Sequence, residues 1–469
     1  MSIDSKVVGS PPLGGRVVPV PVVGLLLYLW LAFPFFVRNI DASLYRIGLT
    51  ALLLVNLAWL LFSKTVHHEQ QAVKGSVALF VFAYALFFLN AFGASIYAFL
   101  ESMQPAALKG LLYSVFVLAV AAYLYMTLDV FQFRRIVGIY VNLMVVLCVT
   151  GSLLVLLVYL GRISPAFPVT LDNGSTREFV WLGFVWKDTW IGSRIGLVRL
   201  QSFSDEAGTF AFAILPALIF ALYSGYFWRS ILLTIGMLMT FSVGALGAMS
   251  ALSFAFVLSR RGRVGREGKM YIGFVVSLLV LGLAGYLVWS KSLGGFLETY
   301  LSAKFGSGTR TSLGDRVQAI QTLLPMILEK PFGAGFGALN VDKLTVAVGW
   351  IVPLFEGGVV GFVFYVMAFG ALLLMAVKNL RRGTAVTAYA YVILVLMIAG
   401  LQRTRIDATV WGWFWIVGFI KEMRFNASGN RLRARFVGRP SKAIVELRRQ
   451  GRVHNEKRIS KSAQEAAGT

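Results

Sequence analysis

Apolar runs of about 17 to 25 residues, the length at which a helix crosses a ~30 Å hydrocarbon core, recur from Val18 almost to Lys421. Ten are clear: 18–37, 45–63, 76–99, 110–128, 137–160, 208–225, 270–290, 359–377, 385–401 and 408–420. The 29 residues 230–258 form either one long tilted helix or two short ones broken at Ser242-Val243-Gly244. With the break, Lys and Arg collect on the segments assigned to the cytoplasm; without it the bias weakens. The pattern therefore predicts an all-α polytopic membrane protein of about 12 transmembrane helices, with both termini cytoplasmic.

Two polar stretches, about 162–207 and 291–355, interrupt the apolar runs, and twelve spans put both on the outer face. The first holds five basic and five acidic residues together with Trp181, Trp186 and Trp190. These indoles are either interfacial anchors or a sugar-stacking platform. Their spacing of four to five residues favours anchors on an amphipathic helix lying on the membrane. In the second stretch Arg316 opens a helix whose apolar positions are Val317, Ile320, Leu324 and Ile327. The turn Pro331-Phe332-Gly333-Ala334-Gly335-Phe336-Gly337 stops it. Residues 345–355 are too short to span and read as a half-helix dipping toward the membrane, followed by Glu356-Gly357-Gly358.

With 58% hydrophobic and 14% charged residues, the composition excludes a water-soluble globular domain. A net charge of +23 raises the question of nucleic acid, but its densest part is the tail, where 13 Lys and Arg from Lys421 onward meet 4 acidic residues and leave a net +9. No aromatic platform accompanies it, so membrane lipids rather than nucleic acid are the expected partner. Residues 1–425 read as one membrane domain and 426–469 as a basic cytoplasmic tail, disordered by composition. The one cysteine, Cys148, falls within an apolar run and reads as packing. The first apolar run is long enough to stay as a helix, so no cleavable signal peptide is expected.

The candidate chemistry follows by subtraction. Span centres are nearly bare of ionisable groups. Asn56, Asn90 and Asn142 read as polar contacts between helices, and Glu101 and Asp129 sit at span ends, which disfavours ion-coupled transport. His67, His68 and His454 make no ligand spacing, and no phosphate-cradling glycine loop is present, so neither metal nor cofactor is expected. Arginines and carboxylates of the two polar stretches remain, a set suited to transfer from an anionic phosphate leaving group. Arg199 stands near Asp205 and Glu206, and Arg316 beside Asp315. A carboxylate could take the proton of an attacking hydroxyl while a guanidinium stabilises the leaving pyrophosphate; equally, these could be loop ion pairs. Glu356 lies between an apolar half-helix and a span, where an unpaired carboxylate is costly, so it is either reactive or the ion-pair partner of an arginine.

At these residues the chain resembles the O-antigen polymerase and ligase superfamily, the Wzy-like membrane glycosyltransferases. The resemblance rests on layout and on four stretches: Arg199-Leu-Gln-Ser202-Phe-Ser-Asp-Glu206-Ala-Gly208; Thr240-Phe-Ser242; Asp315-Arg316 followed by Pro331 to Gly337; and Asp342-Lys343 through Glu356-Gly357-Gly358. It implies a GT-C-like fold with two long periplasmic loops in a bacterial inner (cytoplasmic) membrane. It also implies transfer of a growing glycan from undecaprenyl pyrophosphate to an incoming lipid-linked repeat unit, giving O-antigen of lipopolysaccharide, capsule or exopolysaccharide. Catalytic residues carried over are Arg199, Glu206, Arg316, Asp342 and Glu356, with Arg194, Asp205, Asp315 and Lys343 toward the substrate. Arg199 and Arg316 would hold the donor pyrophosphate, Glu206 or Asp342 would be the base, and Glu356 would orient an arginine. A flippase and a chain-length regulator are the implied protein partners. Ligases of the superfamily place a histidine where Asp342-Lys343 stands here, which favours a polymerase. A ligase and a lipid-linked-oligosaccharide flippase are the alternatives.

Overall fold

The computed structural model of the chain describes residues 75–102, 105–164, 167–170, 176–180, 185–187, 198–200, 207–240, 242, 247, 312–336, 338, 349–380, 385–402 and 405–437. The expected spans 18–37, 45–63 and 270–290, with Asn56, His67, His68 and His454, lie outside them. The first compact unit ends at Ile420 and the second begins at Lys421.

Helices dominate. We label them α1 (Gly75–Ser102), α2 (Pro105–Thr127), α3 (Val130–Tyr159), α4 (Ala207–Ser224), α5 (Phe227–Met239), α6 (Ser312–Glu329), α7 (Ile351–Asn379), α8 (Ala385–Gln402) and α9 (Val410–Val437). Four are long and apolar enough to cross a membrane, over Gly75–Glu101, Gly110–Thr127, Val130–Tyr159 and Ile351–Asn379, which marks a membrane-embedded protein. Their apolarity faces both ways. On α1 the stripe Phe80, Ala83, Phe87 and Ala91 is buried, while Phe82, Leu89 and Leu100 are exposed, as expected where the surroundings are as apolar as the core. Asp129, read as a span-end carboxylate, caps α3. Its side chain accepts from the Gln132 backbone N–H at 2.7 Å, and Gln132 answers to the Asp129 N–H at 2.9 Å, a reciprocal capping box.

Four short strands join the helices between α3 and α4: β1 (Phe167–Thr170), β2 (Thr176–Val180), β3 (Val185–Lys187) and β4 (Val198–Leu200), an antiparallel sheet in the order β1-β2-β3-β4. The helical expectation holds for most of the described residues, with this small sheet added to it, and the amphipathic tryptophan helix is corrected here. Trp186 lies in β3, paired with Phe179 and Arg199, while Trp181 and Trp190 lie outside the described residues. Aromatic and β-branched residues in Thr176–Val180 and Val185–Lys187 fit a pleated surface. The sheet docks through Leu200, which fills the space where Gly151 of α3 lacks a side chain.

Helix α6 starts at Ser312, four residues before Arg316, and buries a face that includes Ile320 and Ile327 of the expected set but not Val317 and Leu324. Leu323 and Ile327 pack with Ala334, Ala338, Ile351 and Phe355, whereas Val317 and Leu324 are exposed. Four apolar positions at helical spacing do not select the buried edge of a helix that is apolar over more than one face. Helix α5 ends at Met239, just before the expected break at Ser242-Val243-Gly244, so the described residues are compatible with two short helices. In the second unit the described residues 421–437 are helical, which continues α9 past the expected start of the tail at 426.

Candidate functional site

The site is built on a broken helix. Within α7, Gly358 has φ 61° and ψ −170°, a conformation that side-chain-bearing residues essentially never adopt, and it separates the short piece Ile351–Gly357 from the long one. A break of this kind strands backbone groups, and buried strands must find partners elsewhere. Four of these groups find partners in segments distant in sequence. The Phe355 carbonyl accepts from the Ala334 N–H at 2.9 Å and the Glu356 carbonyl from the Gly335 N–H at 3.0 Å. The Gly357 carbonyl accepts from Asn90 Nδ2 at 2.6 Å, and the Val359 N–H, freed from its helical acceptor, donates to the Pro331 carbonyl at 2.9 Å. The turn Pro331–Phe336 thus replaces one helical turn of α7.

Helix α1 clamps that turn. Asn90 Nδ2 also donates to the Phe332 carbonyl at 3.1 Å, and the Phe336 N–H donates to Ser95 Oγ at 2.7 Å. Gly357 and Gly361 let α7 lie close, since a Cβ on either would come within 2.9 Å of Phe87 or Asn90. Asn90 thus makes the expected polar contact between helices, from α1 to Gly357 of α7, and a second one to the turn at Phe332. Asn90→Leu is expected to cost about 1–3 kcal/mol, because two carbonyls lose their donor. A lowered melting temperature, measured by thiol-dye labelling of the buried Cys148 on heating, checks it.

Beneath the kink lies a charged cluster. Glu356 Oε2 is 2.8 Å from Nη1 of Arg405, and Arg405 Nε is 3.6 Å from Oδ1 of Asp407. Tyr84 and Tyr365 each donate a hydroxyl to Asp407, at 3.1 Å on separate carboxylate oxygens, and Trp413 Nε1 donates to the Asp407 carbonyl at 2.9 Å. The guanidinium faces the Phe87 and Tyr365 rings, which touch each other at 5.1 Å between centroids, and lies 5.9 and 5.8 Å from those centroids. Glu356, Arg405 and Asp407 are all buried. Arg405 and Asp407 come from the connection between α8 and α9, which folds inward through a short 3-10 turn, Ile406–Ala408. Gly412 makes room for the Ile406 carbonyl, and the Gly412 N–H is held by Thr409 Oγ1 at 3.0 Å.

The depth of this cluster corrects the picture of nearly bare span centres. Tyr84 stands nine residues past the start of α1 and Tyr365 fourteen past the start of α7, about 14 and 21 Å along helices of 28 and 29 residues. Arg405 and Asp407, from the connection between α8 and α9, therefore meet Glu356 of α7 alongside the long helices α1 and α7. One guanidinium faces two carboxylates, and hydroxyl donors take up much of the second carboxylate's charge.

A second group of residues gathers at the sheet. Arg199 is buried, and its Nε donates to the Thr240 carbonyl at 2.9 Å, at the C-terminal end of α5, where a cation complements the helix dipole. The Ser242 N–H reaches Thr240 Oγ1 at 3.3 Å. The two stretches around Arg199 and Thr240-Phe-Ser242 thus meet. Asp315 and Arg316 lie in the first turn of α6. Arg194, Asp205, Glu206, Asp342 and Lys343 lie outside the described residues. Arg405, Asp407, Tyr84 and Tyr365 were missed from the sequence. Tyrosines inside apolar runs were the available signal, because a buried hydroxyl needs a partner. Among the described residues no group of three or more His, Cys, Asp and Glu could hold a metal. No protein-family model matches this chain, and no curated protein matches it.

Proposed function

We propose that this protein is a membrane glycosyltransferase that polymerises undecaprenyl-pyrophosphate-linked oligosaccharide repeat units at the periplasmic face of a bacterial inner membrane. In this reading about twelve spans carry two periplasmic loops, and both termini are cytoplasmic. The observation that carries it is the closure of the Pro331–Phe336 turn on Phe355–Val359, with Glu356 paired to an arginine. These are two stretches that the resemblance to Wzy-like enzymes joins in one site.

A hydroxyl of the acceptor's end sugar attacks the donor's anomeric carbon. The new glycosidic bond forms as the bond from that carbon to the pyrophosphate oxygen breaks, and undecaprenyl pyrophosphate leaves. Arg199 and Arg316 carry the leaving group's charge, Glu206 or Asp342 takes the hydroxyl proton, and Asp205, Asp315, Arg194 and Lys343 line the approach. Aligning two lipid-anchored substrates in one cavity supplies much of the rate.

The test is the length distribution of glycans in cells carrying Arg316→Ala or Arg199→Ala, with membrane level measured in parallel. Single lipid-linked repeats should accumulate and long chains should fall about 100-fold, the scale of losing one charge-stabilising group. Normal chains from both variants would remove the catalytic assignment. Long chains that stay on their carrier would mark a ligase. The charged cluster at span depth favours one other reading, a lipid-linked-oligosaccharide flippase. Labelled repeat units confined to the cytoplasmic leaflet in an Arg405→Met strain would support that instead.

A further inference from the structure

The hydroxyls of Tyr84 and Tyr365 converge on one buried carboxylate that lies outside every stretch carrying the resemblance. The two hydroxyls share the charge of Asp407 with Arg405, which also serves Glu356. Their effect is also geometric. Two donors from two different helices, one on each oxygen, fix the plane of the Asp407 carboxylate, and the Trp413 indole fixes its backbone. An oriented Asp407 limits where the Arg405 guanidinium can lie, and the touching rings of Phe87 and Tyr365 limit it on one side. Arg405 then holds Glu356, whose own carbonyl receives the Gly335 N–H. The chain of contacts ends on the turn.

We infer that Asp407, held by the Tyr84 and Tyr365 hydroxyls, is a positioning residue that acts through Arg405 and Glu356 to set the Gly358 kink and the Pro331–Phe336 turn against α1. The consequence for catalysis rests on the polymerase reading above; the consequence for the turn does not. Helix α1 contributes at both ends of the relay, with Tyr84 on Asp407 and Asn90 and Ser95 on the turn. A displacement of α1 along α7 would therefore be felt at both places together.

The experiment uses the full chain in nanodiscs and the double variant Tyr84→Phe/Tyr365→Phe, which removes both donors and keeps both rings. Turnover is measured on purified lipid-linked repeat units, per molecule of folded protein counted by the slow dye labelling of Cys148. Exchange of the Ala334, Gly335 and Phe336 amides is followed by mass spectrometry. Positioning predicts that kcat falls about tenfold while KM for the lipid-linked unit stays within about twofold, because misplacement of a reacting group acts on turnover. The three amides should exchange at least about tenfold faster, and each single Tyr→Phe variant, keeping one donor, should fall between. Unchanged kcat per folded molecule, with only a lower melting temperature, would show a purely structural role and overturn the inference. If the unaltered protein does not elongate glycans, the polymerase reading fails on its own. The amide exchange then decides the relay, and unchanged exchange in the double variant would sink it.

Discussion

Arg405→Met is expected to destabilise the protein by about 3–5 kcal/mol, the cost of leaving buried charge without its partner. Two carboxylates lose the same cation: Glu356, 2.8 Å from Nη1, and Asp407, 3.6 Å from Nε. The tyrosine donors soften the loss at Asp407, so most of the penalty falls at Glu356. Adding Glu356→Leu to Arg405→Met should therefore recover a large part of the stability, since an apolar pair of similar volume leaves no charge to desolvate. The melting curve of Cys148 labelling reads both variants, because this buried thiol is the chain's one cysteine. Equal melting temperatures for the single and double variants would contradict the pairing.

Gly358→Ala should be about as severe, costing about 3–6 kcal/mol from two sources that add. A side chain at φ 61° and ψ −170° is strained by itself. Its Cβ would also land on the Pro331 carbonyl oxygen and the Gly333 nitrogen, two backbone atoms that cannot move without opening the turn. Gly370→Ala on the same helix is the control. No described atom lies within 4 Å of its Cβ, so that change should be neutral or stabilise by up to about 1 kcal/mol. Loss of folded protein in the first variant and none in the second would tie the cost to the kink rather than to glycine replacement in α7 as such.

Glu356 was legible because a carboxylate between two apolar segments has to be paired. The identity of its partner was not. Arg405 and Asp407 follow one apolar run and precede another, and nothing local separates them from an ordinary interhelical connection. Only the inward fold of that connection, with Gly412 leaving room for the Ile406 carbonyl, carries them to the middle of α1 and α7. Arg199 was legible as a residue with a task. Its bond to the Thr240 carbonyl gives it a structural one, tying β4 to the end of α5, alongside any role toward a pyrophosphate.

Helices long enough to span are a local property of apolar length, which is why α1, α2, α3 and α7 cover the runs read from the chain, although α3 and α7 begin seven and eight residues earlier. The stop at Pro331-Phe332-Gly333 and the break at Gly357-Gly358 are likewise local, because they follow from what proline and glycine permit. The amino-acid sequence by itself therefore determined a membrane-embedded helical protein, where its helices break, and that Glu356 is either reactive or paired. The tertiary structure alone decided that the two breaks answer each other, that Asn90 closes the gap, and that Arg405 is the cation. Those are hydrogen bonds and ion pairs between residues up to 267 positions apart, and no periodicity along a chain encodes which distant donor reaches a given orphaned acceptor.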